Sequence, residues 1–405
     1  MSTSKPRFLS FLQEFSIPLI AGVFAALAWA NLDPEGYHHL IEWKPFGDLE
    51  VFHHALTLHF LVNDVFMVFF FGIAAKEITE ACLPGGSLNP VRKAVNPLLA
   101  TIGGVVGPVG VFFVTLHAFV GAGAFGESPD LGVLHKGWGI PTATDIALAW
   151  LVARAVFGAG HPAINFLLLL AVADDAIGLV IIAVFYGDPT NPAKPVWLLL
   201  CVLGVAVALA LRKARVRSWV PYIALGGPLA WSGLMLAHLH PALALVFIVP
   251  CLPGPRRDTG MFDEHDLPST LSDFEHQLKL FVDLGLFAFA FANAGVEFAT
   301  MGAMTWSILV ALVVGKTLGI TAFGLLASKI GFPLPDRMGF KQLAMAGFVA
   351  ALGLTVALFV AGAAFGKLDA GLEGQAKMGA LFSGLVGLAA IVIGRLIGIR
   401  GPKDD

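Results

Sequence analysis

The sequence predicts an all-α polytopic membrane protein of about twelve transmembrane helices, with inverted-topology repeats and two crossing broken helices, spans 4 and 11. Three observations carry this reading. The 405-residue chain is 57% hydrophobic and only 13% charged, with a mean hydropathy of +0.81, whereas an ordinary soluble domain carries about 25% charged residues. Apolar stretches close to the ~20 residues that cross a bilayer recur along its whole length. Lysine and arginine then fall unevenly between successive stretches.

The first stretch follows Lys5 and Arg7 and ends in Ala28-Trp29-Ala30, a tripeptide similar to a signal-peptidase site. Its apolar run, Leu12 to Ala30, exceeds the about 7–15 residues of a signal-peptide core, so it reads as a retained first span over 12–31. The others fall near 57–76, 95–120, 131–156, 162–186, 196–211, 219–236, 238–252, 278–299, 305–328, 342–366 and 377–395. Loop 32–56 contains PFGDLEVFHH, where Gly47-Asp48 between short apolar pieces suggests a β-hairpin. No repeat of solenoid length and no low-complexity linker divides the chain, so residues 1–405 read as a single membrane domain.

If the N-terminus is cytoplasmic, nineteen of the 25 lysines and arginines lie on that side and five, Lys44, Lys136, Lys194, Lys367 and Lys377, lie on the other. This is the bias of the positive-inside rule, and it places both termini in the cytoplasm. A miscounted helix would scramble it. The remaining cation, Lys316, falls inside a span. A formal net charge of -3 leaves no broad basic face, which excludes nucleic acid as a partner. Cys82, Cys201 and Cys251 are odd in number, far apart and without CxxC spacing, so neither a thiolate metal site nor a disulfide framework is implied.

Depth along a helix follows from its rise of about 1.5 Å per residue. In LLLLAVADDAIGLVIIAVFY, Asp174 and Asp175 lie about 17–18 Å from either end of their span, near the midplane. Lys316 sits equally deep in 305–328. In GIPTATD, Gly139 and Pro141 interrupt a helix, and the helix that resumes at Ile146 covers about half the bilayer. Asp145 thus begins a half-helix at mid-depth. Gly353 and Thr355 mark a second interruption, in GFVAALGLTVALF.

Broken backbone at this depth is tolerated only where protein or a watery cavity satisfies it. Two such breaks in corresponding places of two halves point to a secondary transporter with inverted repeats, here spans 3–5 and 10–12. Taken singly, Asp145 is an ordinary helix cap and Gly353 a small contact residue. Lys316 lies too deep to snorkel, and one lysine cannot neutralise three carboxylates. At least one acid then needs a proton or a mobile cation, and the cluster titrates as a unit. Carboxylate and hydroxyl oxygens suit a small hard cation such as Na⁺. Competition between that cation and H⁺ at a site opened alternately to each side suffices for exchange.

With these residues in view, GIPTATDIALA, AVADDAIGLV, FAFANAGV (289–296), GKTLGIT (315–321) and VNDVFMVFFFGI (62–73) together resemble the NhaA family of sodium/proton antiporters, over nearly the whole chain and in order. The resemblance implies a secondary active antiporter, not an enzyme, exchanging cytoplasmic Na⁺ or Li⁺ for external H⁺. It implies no cofactor, residence in the bacterial inner membrane as a multi-pass protein, and a role in sodium and pH homeostasis. Asp174 and Asp175 become the cation- and proton-binding pair, Asp175 the more direct Na⁺ ligand and Asp174 the partner of Lys316. Thr144 and Asp145 become the broken-helix site that offsets opposing helix dipoles. Tandem aspartates go with electrogenic exchange. His240 and Glu275 would serve pH regulation, Asp64 is a further intramembrane acid, and the hairpin would form a homodimer contact within the lipid bilayer.

The chain departs from this pattern in GIAAKEITEA, where funnel glutamates of the family are replaced by Ala74 and Ile78, with Glu77 and Glu80 nearby but out of register as candidates for pH regulation. Asp283 is a further acid, expected at a solvated helix end. An intramembrane aspartyl protease would place its acids on separate helices, with a GxGD motif that this sequence lacks. A passive channel would favour rings of charge. The alternative is a sodium-coupled solute symporter, but no polar cluster for an organic solute stands out.

Overall fold

The computed structural model describes residues 17–52, 54–84, 86–88, 91–188, 191–254 and 269–399. Lys5, Arg7, Arg256, Arg257, Arg400, Lys403 and the first residues of the expected first span lie outside these. In chain order the elements are α1 (Ile17–Leu32), α2 (Pro34–Ile41), β1 (Glu50–Val51), β2 (His54–Ala55), α3 (Leu58–Cys82), α4 (Val91–Gly121), α5 (Leu131–Thr142), α6 (Ile146–Phe157), α7 (Pro162–Phe185), α8 (Pro195–Lys213), α9 (Tyr222–Leu236), α10 (Pro241–Cys251), α11 (Thr270–Asn293), α12 (Ala303–Lys329), α13 (Phe340–Val349), α14 (Leu354–Phe365) and α15 (Ala370–Leu396).

Among the described residues six helices are long and apolar enough to cross a membrane, or eight if each of two bent pairs counts as one span. The bent pairs are α5 with α6 and α13 with α14, each bent by 49°. The protein is therefore an all-α polytopic membrane protein. Short polar residues start several of its helices: Thr57 accepts from Phe60 N, Asp130 from Gly132 N and Val133 N, Ser269 from Ser272 N, and Asp369 from Leu372 N. Each satisfies amides that the first turn of a helix leaves unpaired.

The chain divides into two compact units, one drawn from residues 91–178 and from 296 onward, the other from 18–90 and 179–295. In the first, α4 lies against α12 with almost no side chain between them. A Cβ on Gly319 would stand 2.0 Å from the Gly103 carbonyl oxygen, and one on Gly315 would stand 2.4 Å from Pro108 Cα. This is the small-residue packing of membrane helices. Within α12 the winding widens to π turns over Ala311–Lys316, a deviation that recurs at functional sites. In the second unit, Tyr37 fills the space over Gly295 and its hydroxyl donates to the Phe291 carbonyl at 2.6 Å.

Four sequence expectations are corrected here. The hairpin exists, but β1 pairs with β2 in the register Glu50↔Ala55 and Val51↔His54, so the chain reverses beyond Val51 and not at Gly47-Asp48. Lys76, expected to end its span, lies within α3, which runs on to Cys82, and is 3% exposed. Lys377, expected to begin its span, lies within α15, which starts at Ala370, and is 7% exposed and 2.6 Å from Glu373. In both places a carboxylate one turn away pairs with the lysine inside the helix. Asp283 is not at a helix entrance either, because α11 begins at Thr270 and carries it thirteen residues in.

Candidate cation and proton site

The site of the first unit forms where the two helix breaks touch. At the first break residues 143–145 are non-helical between α5 and α6, with Ala143 and Asp145 extended; at the second, residues 350–353 leave the helical path between α13 and α14. The Asp145 amide donates to the Leu352 carbonyl at 2.6 Å, and a Cβ on Gly353 would stand 3.0 Å from the Ala143 carbonyl oxygen. A side chain at this position would force the two backbones apart by a few tenths of an ångström, which glycine avoids.

Asp145 caps both half-helices that leave this point. Its Oδ1 accepts from Leu148 N at 3.1 Å, in α6, and its Oδ2 accepts from the Thr355 hydroxyl at 3.0 Å and from Thr355 N at 3.4 Å, in α14. Two positive helix ends thus converge on one carboxylate. Ser383, fully buried on α15, accepts from Gly353 N at 3.2 Å and donates to the Ala380 carbonyl at 2.6 Å, which satisfies an amide that the break exposes.

The opposite ends carry negative dipole charge, and a lysine meets them. Lys316 Nζ, fully buried, donates to Asp174 Oδ2 at 2.5 Å and to Thr144 Oγ1 at 2.7 Å. The Thr144 hydroxyl lies 2.8 Å from Asp174 Oδ2 and 2.9 Å from the Ala350 carbonyl oxygen, at the C-terminal end of α13. Its single proton can serve one of these at a time. Asp174 is 1% exposed, and its Oδ1 has no hydrogen-bond partner among the described residues. Asp175 acts electrostatically on Lys316 and is partly open. A buried carboxylate oxygen without a donor is costly; a proton or a cation would satisfy it.

The other sequence candidates gather elsewhere, in the second unit. His240 Nδ1 lies 3.7 Å from Asp64 Oδ1, while the Asp64 carbonyl accepts from Trp231 Nε1 at 2.7 Å. Lys76 bridges Glu80, at 2.7 Å, and Glu275, and Glu77 lies in the field of the same charges. Lys279 approaches Glu275 to 3.9 Å. Thr355 was noticed in the sequence only as part of a break. Ser383, Lys76 as the centre of a cluster, and the reciprocal amide pair Asn63–Asn293 were not anticipated. Asn293 had left a signal, a lone amide in the apolar FAFANAGV.

A family model described as Na+/H+ antiporter 1 matches residues 7–397. A protein of Geobacter sulfurreducens named Na(+)/H(+) antiporter NhaA is 60% identical over 394 residues, covering 97% of this chain and 98% of that protein. One of the same name from Desulfitobacterium hafniense is 58% identical over 406 residues, 100% of this chain and 99% of that protein. A more distant namesake from Jannaschia sp. is 44% identical over 427 residues, 97% of this chain and 99% of that protein.

Proposed function

We propose, from the premise that this chain belongs to the NhaA family of Na⁺/H⁺ antiporters, that Asp174 and Asp175 are the oxygens for which its two cargoes compete. The protein is a secondary active carrier, not an enzyme, that exchanges Na⁺ (or Li⁺) for H⁺ in ion and pH homeostasis. The observation that carries the site reading is the Lys316–Asp174–Thr144 cluster at the meeting of two broken helices, with Asp174 Oδ1 unsatisfied. Without Na⁺, Lys316 holds Asp174. A cation drawn to Asp174 Oδ1 and Asp175 offsets the charge that holds the lysine, and its arrival releases protons that the carboxylates shared. Thr144 adds a hydroxyl oxygen, and Asp145 keeps the two half-helices from separating when the cluster changes charge.

The eight long or bent spans, three shorter apolar helices and the more charged α11 make twelve, in one transport domain with inverted-topology repeats. Spans 4 and 11 are the bent pairs α5–α6 and α13–α14. Both termini face the cytoplasm of a bacterium whose inner membrane holds the carrier. Exchange takes in more H⁺ than the Na⁺ it expels and so moves charge. The clusters Lys76–Glu77–Glu80–Glu275 and Asp64–His240 set its pH dependence, and the β1–β2 hairpin joins two copies in the bilayer.

The test is a pH gradient across everted vesicles. Added Na⁺ or Li⁺ should dissipate it with the wild type and leave it intact with Asp175→Asn. Dissipation that persists in Asp175→Asn overturns the site, and dissipation that needs an added organic solute overturns antiport in favour of symport.

A further inference from the structure

We propose that His117 and His135 form a two-imidazole site for a borderline divalent cation of the Zn²⁺ class, placed where α4 meets the start of the broken helix. Both residues belong to the first unit, His117 one turn before the end of α4 and His135 in the first turns of α5. Neither takes part in the cation and proton site.

Three features of the pair agree. The ring centroids are 5.2 Å apart and the planes are inclined by 39°. An ion bonded to two imidazole nitrogens at about 2.0–2.1 Å, at a tetrahedral angle, holds two ring centres roughly 5 Å apart. His117 Nδ1 lies 2.8 Å from the Phe113 carbonyl oxygen. A carbonyl can only accept, so Nδ1 carries the proton and the Nε2 lone pair is left for a metal. That is the usual arrangement behind a ligating histidine. His135 Nε2 is buried and has no hydrogen-bond partner among the described residues.

Aromatic packing explains the rings but not that nitrogen. Phe113 sits edge-on to His135 at 5.3 Å and tilted to His117 at 6.4 Å, and it offers neither a donor nor a lone pair to His135 Nε2. Imidazole is a borderline ligand suited to Zn²⁺, while Na⁺ prefers hard oxygens. The pair therefore would not compete for the cargo. Among the described residues no third His, Cys, Asp or Glu completes a group, so the remaining positions of a bound ion would fall to water.

The probe is ZnCl₂ added to the purified full-length protein, read by titration calorimetry and by zinc X-ray absorption. The other histidines supply a background common to all samples. The expected result is one equivalent of Zn²⁺ that disappears in both His117→Gln and His135→Gln, with two imidazoles in the absorption spectrum of the wild type. Unchanged stoichiometry in either variant, or a spectrum without paired imidazoles, overturns the site. Neither readout involves transport, so the outcome is separate from that of the antiport assay.

Discussion

At Thr144 one hydroxyl links an ammonium, a carboxylate and a helix-end carbonyl. Thr144→Val keeps the shape and removes both the bond accepted from Lys316 and the one donated to Asp174 or Ala350. A hydrogen bond to charged groups contributes about 1.5–3 kcal/mol, so the apparent Na⁺ affinity should fall by roughly ten-fold or more, read from the Na⁺ dependence of gradient dissipation. Lys316→Ala should act mainly on stability. It strands Asp174 as a buried charge, which costs about 3–5 kcal/mol, and a lower melting temperature in detergent would record it. Lys316→Arg retains a cation and should recover most of that loss. Asp174, Asp175 and Lys316 were legible in the sequence because helical rise converts position into depth. The pairing of Asp174 with Lys316 followed from the family resemblance and not from depth, because successive residues on a helix point about 100° apart; in the packed structure it is Asp174 that faces the lysine. The Ala350 carbonyl was invisible for a simpler reason: no side-chain code marks which backbone oxygen a break exposes.

The next scale is that of the helices, and here Asp145 holds two of them. Replacing an N-cap aspartate by alanine costs about 0.5–2 kcal/mol, and Asp145→Ala removes the caps of α6 and α14 together. Hydrogen exchange should accelerate at the Leu148 and Thr355 amides in the same variant; acceleration at one alone would deny the double cap. The α4–α12 seam makes an independent prediction. In Gly319→Ala the new Cβ would meet the Gly103 carbonyl at 2.0 Å, an obstacle of backbone that cannot rotate away. Overpacking of this kind costs about 1–3 kcal/mol, and because Lys316 lies one turn before Gly319, exchange should fall along with the melting temperature. The first break could be read from Gly139 and Pro141, since proline cannot continue a helix. The starts of α11 and α15 could not, because Glu275, Lys279, Glu373 and Lys377 look like loop charges until their partners one turn away, or on another helix, are seen.

For the molecule as a whole, the orientation proposed from charge bias has a native reporter. Cys82 ends α3 exposed, whereas Cys201 and Cys251 are buried. Twelve spans with a cytoplasmic N-terminus put the end of α3 back in the cytoplasm, on the same side as Arg92, Lys93 and the basic run Arg212–Arg217. A membrane-impermeant maleimide should therefore modify the unmutated protein in everted vesicles and spare it in intact right-side-out ones until they are permeabilised. Cys82→Ser should abolish the signal in both, which assigns the label to that residue. The reverse pattern would invert the topology and, with it, the direction proposed for Na⁺. The experiment also bears on the span count, because one helix added or lost before α3 moves Cys82 to the other face while leaving the charge cluster of the first unit untouched.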